Sequence, residues 1–245
     1  MNTAELYANH GSIPVLIIGK SGRGKTTAMR TLPPERTFLI NTIGKPLPFL
    51  GGAAHYRQGV NMVSNVGATA VMMAMQKVSK DPAFDYLILD DAQYVMASEL
   101  MEKAAIKGYE KFTTMAKNFW DILLLASRLR GGLKVFILAH EEDTGTERKI
   151  KLYGKMLEEK LNVEGMSSIT LFADVMVKEH TRTYLFTTQS DGTTTAKTPM
   201  GMFPTVIPND LKLVADRIDE YYQGIPLTQS KLDLQASGKE ADVGG

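Results

Sequence analysis

The sequence predicts an α/β domain: a mostly parallel central sheet flanked by helices, with an antiparallel hairpin at its C-terminal edge. Three observations predict it. Short apolar runs alternate with segments of helical spacing, the first run leads straight into a glycine-rich loop, and β-rich segments surround a turn signal near the C-terminus. With 245 residues, 44% apolar and 22% charged, the chain has material for one globular domain, read as residues 1–224. Residues 225–245 mix Gln, Ser, Lys, Asp and Gly with isolated apolar residues that cannot bury a face, and read as a disordered tail.

The elements follow in order. Residues 13–18 (IPVLII) are a short apolar run ending in Gly19, which its length and flanks favour as a buried strand over a helix. A helix begins near Lys25 and is stopped by Pro33-Pro34, before a second strand at 37–41 (TFLIN) and a Gly/Pro-rich loop at 44–52. Residues 67–80 read as a helix closed by Asp81-Pro82, and 86–90 (YLILD) as a third strand. Helical spacing over 92–105 and 109–129 ends at Gly131-Gly132, and 135–139 is a fourth strand. Residues 141–168 are charged and loop-like with a helix inside. Strands are expected at 169–178 and 183–188, the latter opening a hairpin that turns at Ser190-Asp191-Gly192 and returns over 193–197. Asn209 is the expected cap of a last helix reaching about Tyr222.

Bulk charge narrows the function classes. A net charge of +1 provides no broad positive field, so nucleic acid could be bound only through a local patch. The absence of cysteine removes disulfides, thiolate metal sites and thiol nucleophiles, and fits a reducing compartment. The first ten residues lack a basic n-region and the run at 13–18 is far too short to span a bilayer, so the expectation is a soluble, cytoplasmic protein with no membrane partner.

The chemistry is concentrated in the loop Gly19-Lys20-Ser21-Gly22-Arg23-Gly24-Lys25-Thr26, which matches G-x-x-x-x-G-K-[ST] between a strand and a helix start. Small residues let consecutive backbone N–H groups turn inward around phosphate oxygens, with the helix start facing the same anion. Gly19, Ser21, Gly22, Arg23, Gly24, Lys25, Thr26 and Thr27 are therefore the expected ATP-binding residues. Lys25 would reach the β and γ phosphates and Thr26 would offer its hydroxyl to Mg²⁺, while Thr27, one position late, serves the helix. YLILD ends in Asp90-Asp91, the form of a metal-holding strand end, with Asp90 as the Mg²⁺ carboxylate. Hydrolysis also needs an acid that orients and deprotonates water. Asp91 is the candidate, with helix capping as its competing role and Glu99 and Glu102 as fallbacks. The long interval between the two motifs leaves room for a whole strand and helix, which favours an ATPase over compact kinase and GTPase arrangements. His140, delivered by the fourth strand to the end of the sheet where ligands sit, could touch the γ-phosphate or its attacking water; the alternative is a hydrogen-bonded loop histidine.

These features in this order resemble the RecA-fold ATPases, and most closely the small phage-encoded, Sak-type ATPases of single-strand annealing and recombination. The resemblance covers about residues 11–222 and is carried by GKSGRGKT (19–26), NTIGKPLPF (41–49), LILDD (87–91), ILAHEE (137–142) and AKTPMGMFP (196–204). It implies a RecA-like fold, head-to-tail self-assembly with ATP at subunit interfaces, and a Lys on a late hairpin reaching the neighbour's nucleotide. That Lys maps to Lys197, with Arg182 a weaker candidate. It also implies that His140 couples nucleotide to DNA and that 141–168 contacts single-stranded DNA. The cluster Arg148, Lys149, Lys151, Tyr153 and Lys155 suits phosphate contacts with base stacking, against the alternative of a solvated face flanked by acids. One departure stands out: RecA-type enzymes carry a catalytic Glu at the end of the second strand, where Asn41-Thr42-Ile43 has no acid. Turnover would then depend on Asp91. Two other functions stay open, a nucleotide-gated adaptor for helicase loading or packaging, and a nucleotide or small-molecule kinase.

Overall fold

In the computed structural model, residues 11–105, 107–154 and 162–228 are described. An eight-stranded sheet forms the centre, with strands β1 (Ile13–Ile18), β2 (Thr37–Asn41), β3 (Met62–Ser64), β4 (Tyr86–Asp90), β5 (Lys134–Ala139), β8 (Ile169–Lys178), β9 (Thr181–Thr187) and β10 (Val206–Pro208). Their spatial order is β10-β9-β8-β1-β5-β4-β2-β3. The six strands from β8 to β3 run parallel, and β9 and β10 add an antiparallel edge. The expected fold class is the one observed. A separate two-stranded hairpin, β6 (Glu141–Asp143) with β7 (Arg148–Ile150), follows β5.

Both faces of the parallel strands are covered, which is why their sequences are unbroken apolar runs rather than alternations. Leu16 and Ile18 of β1 pack with Leu87, Ile137 and Phe172 beneath α2 (Ala68–Lys80) and α4 (Glu110–Ala126), the latter contributing Phe119 and Ile122. Val15 and Ile17 face the other way, against Phe136, Phe186 and the residues Val214 and Ile218 of α5 (Leu211–Tyr222). Two shorter helices are α1 (Gly52–His55) and α3 (Gln93–Glu102).

Several local expectations are corrected. The helix after the glycine-rich loop is a two-turn 3₁₀ segment, Thr26–Thr31, since Leu32 and Pro33 are already extended and threonine is a weak helix former. The edge hairpin is β8–β9 rather than a pair closing at Ser190-Asp191-Gly192. Its turn is Glu179-His180, both at positive φ (45° and 71°), which carries none of the usual glycine or asparagine signal. Ser190–Gly192 does turn, with the Thr193 N–H donating to the Asp191 carboxylate at 2.9 Å. The returning segment, however, extends the edge of β8: Lys197 and Thr170 exchange backbone bonds at 2.8 and 2.9 Å. The cap of α5 is Asp210, which accepts from the Leu213 N–H at 2.9 Å, whereas the Asn209 amide is buried with no hydrogen-bond partner among the described residues. Of the segment 141–168, in which a helix is expected, residues 155–161, Lys155 among them, lie outside the described residues, as does most of the expected tail. Strand β3 and helix α1 were not foreseen; three and four residues long, they carry no periodic pattern.

Candidate nucleotide site

β1 is flanked by β8 and β5, and β4 lies beyond β5. The carboxyl ends of these parallel strands thus bring the loop after β1, the Asp pair ending β4 and His140 after β5 to one cleft, where open parallel sheets hold ligands. A concave site of about 380 Å³ is lined there by loop residues Ser21, Gly22 and Gly24 to Thr27, by Asp90, Asp91 and His140, and by Lys45 and Tyr184.

The loop has the conformation its glycines permit. Gly22 and Gly24 lie at φ 77° and 84°; a side chain at Gly24 would sit 2.9 Å from the Tyr184 ring, and one at Gly19 would press 2.7 Å from the Ala173 carbonyl oxygen. The loop is therefore seated on β8 and β9, with its small residues facing the cleft. Arg23 leans out of it, donating to the Val175 carbonyl at 3.5 Å. Lys25 folds back to donate to the carbonyls of Gly19 (2.6 Å) and Lys20 (3.0 Å). Burial pulls its pKa down to about 8, against the opposing pull of Asp91 and Asp90.

Thr26 donates its hydroxyl to both Asp90 oxygens, at 2.9 and 3.0 Å, joining the loop to the end of β4. Burial, then the neighbouring charge of Asp91, pushes the Asp90 carboxyl up to about 6. One hydroxyl and one carboxylate are a sparse donor set that suits Mg²⁺, which retains waters and phosphate oxygens among its ligands. Among the described residues, no cluster of three or more His, Asp or Glu side chains offers a closed metal cage. The residues present thus fit Mg²⁺ carried with a triphosphate.

Asp91 does not cap α3. The residue before the helix is Ala92, and no side chain caps it. Asp91 sits instead at φ 57°, its carbonyl accepting from the Thr42 hydroxyl at 3.0 Å. One carboxylate oxygen lies 3.2 Å from His140 Nε2; the other accepts from the Lys45 ammonium at 2.8 Å. Burial raises its pKa, but the bonds from His140 and Lys45 outweigh it and hold the carboxyl down at about 2. His140 is oriented by an edge contact with Tyr94, ring centroids 6.1 Å apart, and its backbone N–H donates to Gln93 at 3.1 Å. The fallback acids are elsewhere: Glu99 binds Lys103 and Asn118 between α3 and α4, and Glu102 does not line the cleft.

No motif of the sequence gives Lys45 a role, and the residues that place it stand at the end of β2, where no acid is present. Asn41 donates to the Lys45 carbonyl at 2.7 Å, while Thr42 also binds the Asp90 carbonyl at 3.0 Å. A lysine between a glycine and a proline was the only available signal.

Other expected residues lie apart. Lys197 is half-buried and does not line its own chain's cleft, and Arg182 is exposed on β9. Within the basic cluster, Arg148 makes a two-pronged pair with Asp174 at 2.9 and 3.1 Å, with Glu141 3.5 Å away. Lys149 is half-buried and Lys151 exposed, the latter lying 5.6 Å over the Tyr153 ring. No helix among the described residues is long and apolar enough to cross a membrane.

No protein-family model matches the chain, and no curated protein matches it. Among solved structures, the KaiC-like protein PH0186 from the hyperthermophilic archaeon Pyrococcus horikoshii OT3 is similar at 14% identity and a TM-score of 0.43, over 71% of this chain and 76% of that one. The chain's own strand order β8-β1-β5-β4-β2, with a glycine-rich loop after β1 and an acid pair ending β4, is that of an open, mostly parallel α/β sheet whose ligand cleft lies at the carboxyl ends of its strands.

Proposed function

We propose that this protein is a Mg²⁺-dependent ATPase of DNA recombination or single-strand annealing that works as a head-to-tail assembly. The observation that carries the ATPase reading is the convergence of Lys25, Thr26, Asp90, Asp91 and His140 on one cleft, from three separate strand ends. Mg²⁺ bound with the triphosphate would neutralise charge on the phosphates. Lys25 would leave the Gly19 and Lys20 carbonyls to bind phosphate oxygens, and Thr26 and Asp90 would hold the metal. Asp91 accepts the proton of the attacking water, and His140 keeps that carboxylate in place. The DNA role rests on the resemblance of the sequence and on Lys149 of β7 with Lys151 and Tyr153 just after it, with Arg148 already committed to Asp174. ATP turnover measured with and without single-stranded DNA tests this reading. DNA-stimulated hydrolysis is expected, and turnover indifferent to DNA would remove the recombination role.

A second reading has a specific observation behind it. Both Asp91 oxygens are taken, by His140 and Lys45, and no acid ends β2. A nucleotide-gated adaptor would show this masked base and would bind ATP tightly with negligible turnover in every condition.

A further inference from the structure

We propose that Lys45 is the residue that distinguishes ATP from ADP: its ammonium leaves Asp91 for the terminal phosphate and thereby frees the base. The inference rests on the cleft being a triphosphate site, as proposed above. Lys45 is positioned by more than its one ion pair. Gly44, at φ 67°, makes a turn closed by its N–H to the Asn41 carbonyl at 3.2 Å, and a side chain there would meet the Asn65 amide at 2.7 Å. Asn41 holds the Lys45 carbonyl, and Pro46 bars Lys45 from helical backbone. The side chain therefore lines the cleft from the segment that follows β2, its ammonium 2.8 Å from Asp91 and 5.2 Å over the Tyr94 ring.

The ammonium is half-exposed, while the Asp91 carboxylate is nearly buried. A half-exposed cation on a flexible stem can change partners; a buried carboxylate on a fixed turn cannot follow it. In the present arrangement Lys25 is closed on its own loop and Lys45 on Asp91, so both cleft lysines are satisfied by the protein. Lys25 belongs to the loop that cradles the phosphate chain, and Lys45 stands at the Asp91 end, where the attacking water must be held. A diphosphate satisfies the loop and gives Lys45 no new partner. A third phosphate supplies one, and the departure of Lys45 leaves Asp91 an oxygen with which to bind water. The missing acid at the end of β2 then has a physical counterpart: Asn41 and Thr42 position the lysine and the acid pair instead.

The test compares affinities for ADP and a non-hydrolysable ATP analogue, each with Mg²⁺, by calorimetry in wild type, Lys45→Ala and Lys45→Arg. Wild type should favour the ATP analogue. Lys45→Ala should keep ADP affinity within about twofold and weaken the analogue by about tenfold or more, the scale of one charge-assisted hydrogen bond. Lys45→Arg should recover most of the preference. An equal loss for both nucleotides, or an unchanged preference in a folded Lys45→Ala, would overturn the role of Lys45 while leaving the nucleotide site standing. Failure of the wild type to bind either nucleotide would remove the site and this role together.

Discussion

At the scale of single residues, the cleft separates binding from chemistry. Lys25 bonds only to carbonyls of its own loop, so Lys25→Ala should keep the fold and lose nucleotide affinity by at least about tenfold. Calorimetry on a variant with a wild-type circular dichroism spectrum checks this, and undiminished binding would end the phosphate-loop assignment. Asp91→Asn should bind ATP nearly normally and turn it over about 10²–10⁴ times more slowly, the usual cost of losing a general base. Asp90→Asn should instead show up in the Mg²⁺ concentration needed for binding. Asp90 also makes a pH prediction in metal-free solution. Its folded pKa, about 6, lies above its ordinary value of 3.8, so the folded state binds the extra proton. The stability it contributes is present at low pH and is lost as pH rises from about 4 through 6, by up to about 3 kcal/mol. Asp90→Asn should remove that slope in urea titrations taken across the window.

Elements explain where local rules held and where they gave way. The sequence favours Asn209 as the cap of α5, yet Asp210 takes the Leu213 N–H, and the Asn209 amide is packed against the loop near Gly24. Adjacent capping residues look alike in a sequence, and the side chain that faces the helix is decided by how the chain leaves β10. Asp210→Ala should therefore cost about 1 kcal/mol by thermal or urea unfolding. Asn209→Ala should cost no cap, and a larger loss in Asn209→Ala than in Asp210→Ala would contradict the assignment. The β8–β9 hairpin was hidden for a related reason: Glu179-His180 holds a left-handed turn because long paired strands on either side impose it.

For the whole molecule, the question is whether sites are shared between subunits. Lys197 lies outside its own cleft, which a residue serving a neighbour must, and a cation acting in trans can be worth orders of magnitude in rate. Lys197→Ala should bind nucleotide and lose turnover. Mixed with Lys25→Ala at concentrations where each alone is inactive, it should partly recover, because some junctions pair an intact loop with an intact Lys197. Full activity of Lys197→Ala alone would leave the lysine a surface residue and favour self-contained sites, with Lys45 as the second cation.

By itself the sequence determined the features that need only neighbours: the glycine-rich loop after an apolar run, the acid pair ending YLILD, the histidine ending the fourth strand, and so the α/β class. Spacing over a few residues encodes these, because glycine, proline and apolar periodicity act through local backbone preference. Tertiary structure alone decided which charges meet. Lys45 and Asp91 are 46 positions apart and Arg148 and Asp174 are 26 apart. The first pair turned a surface-looking lysine into a cleft residue, and the second withdrew an arginine from the expected DNA patch. Such pairings follow from the order in which strands enter the sheet. That order is set by burying both sheet faces at once, which no short stretch of sequence expresses.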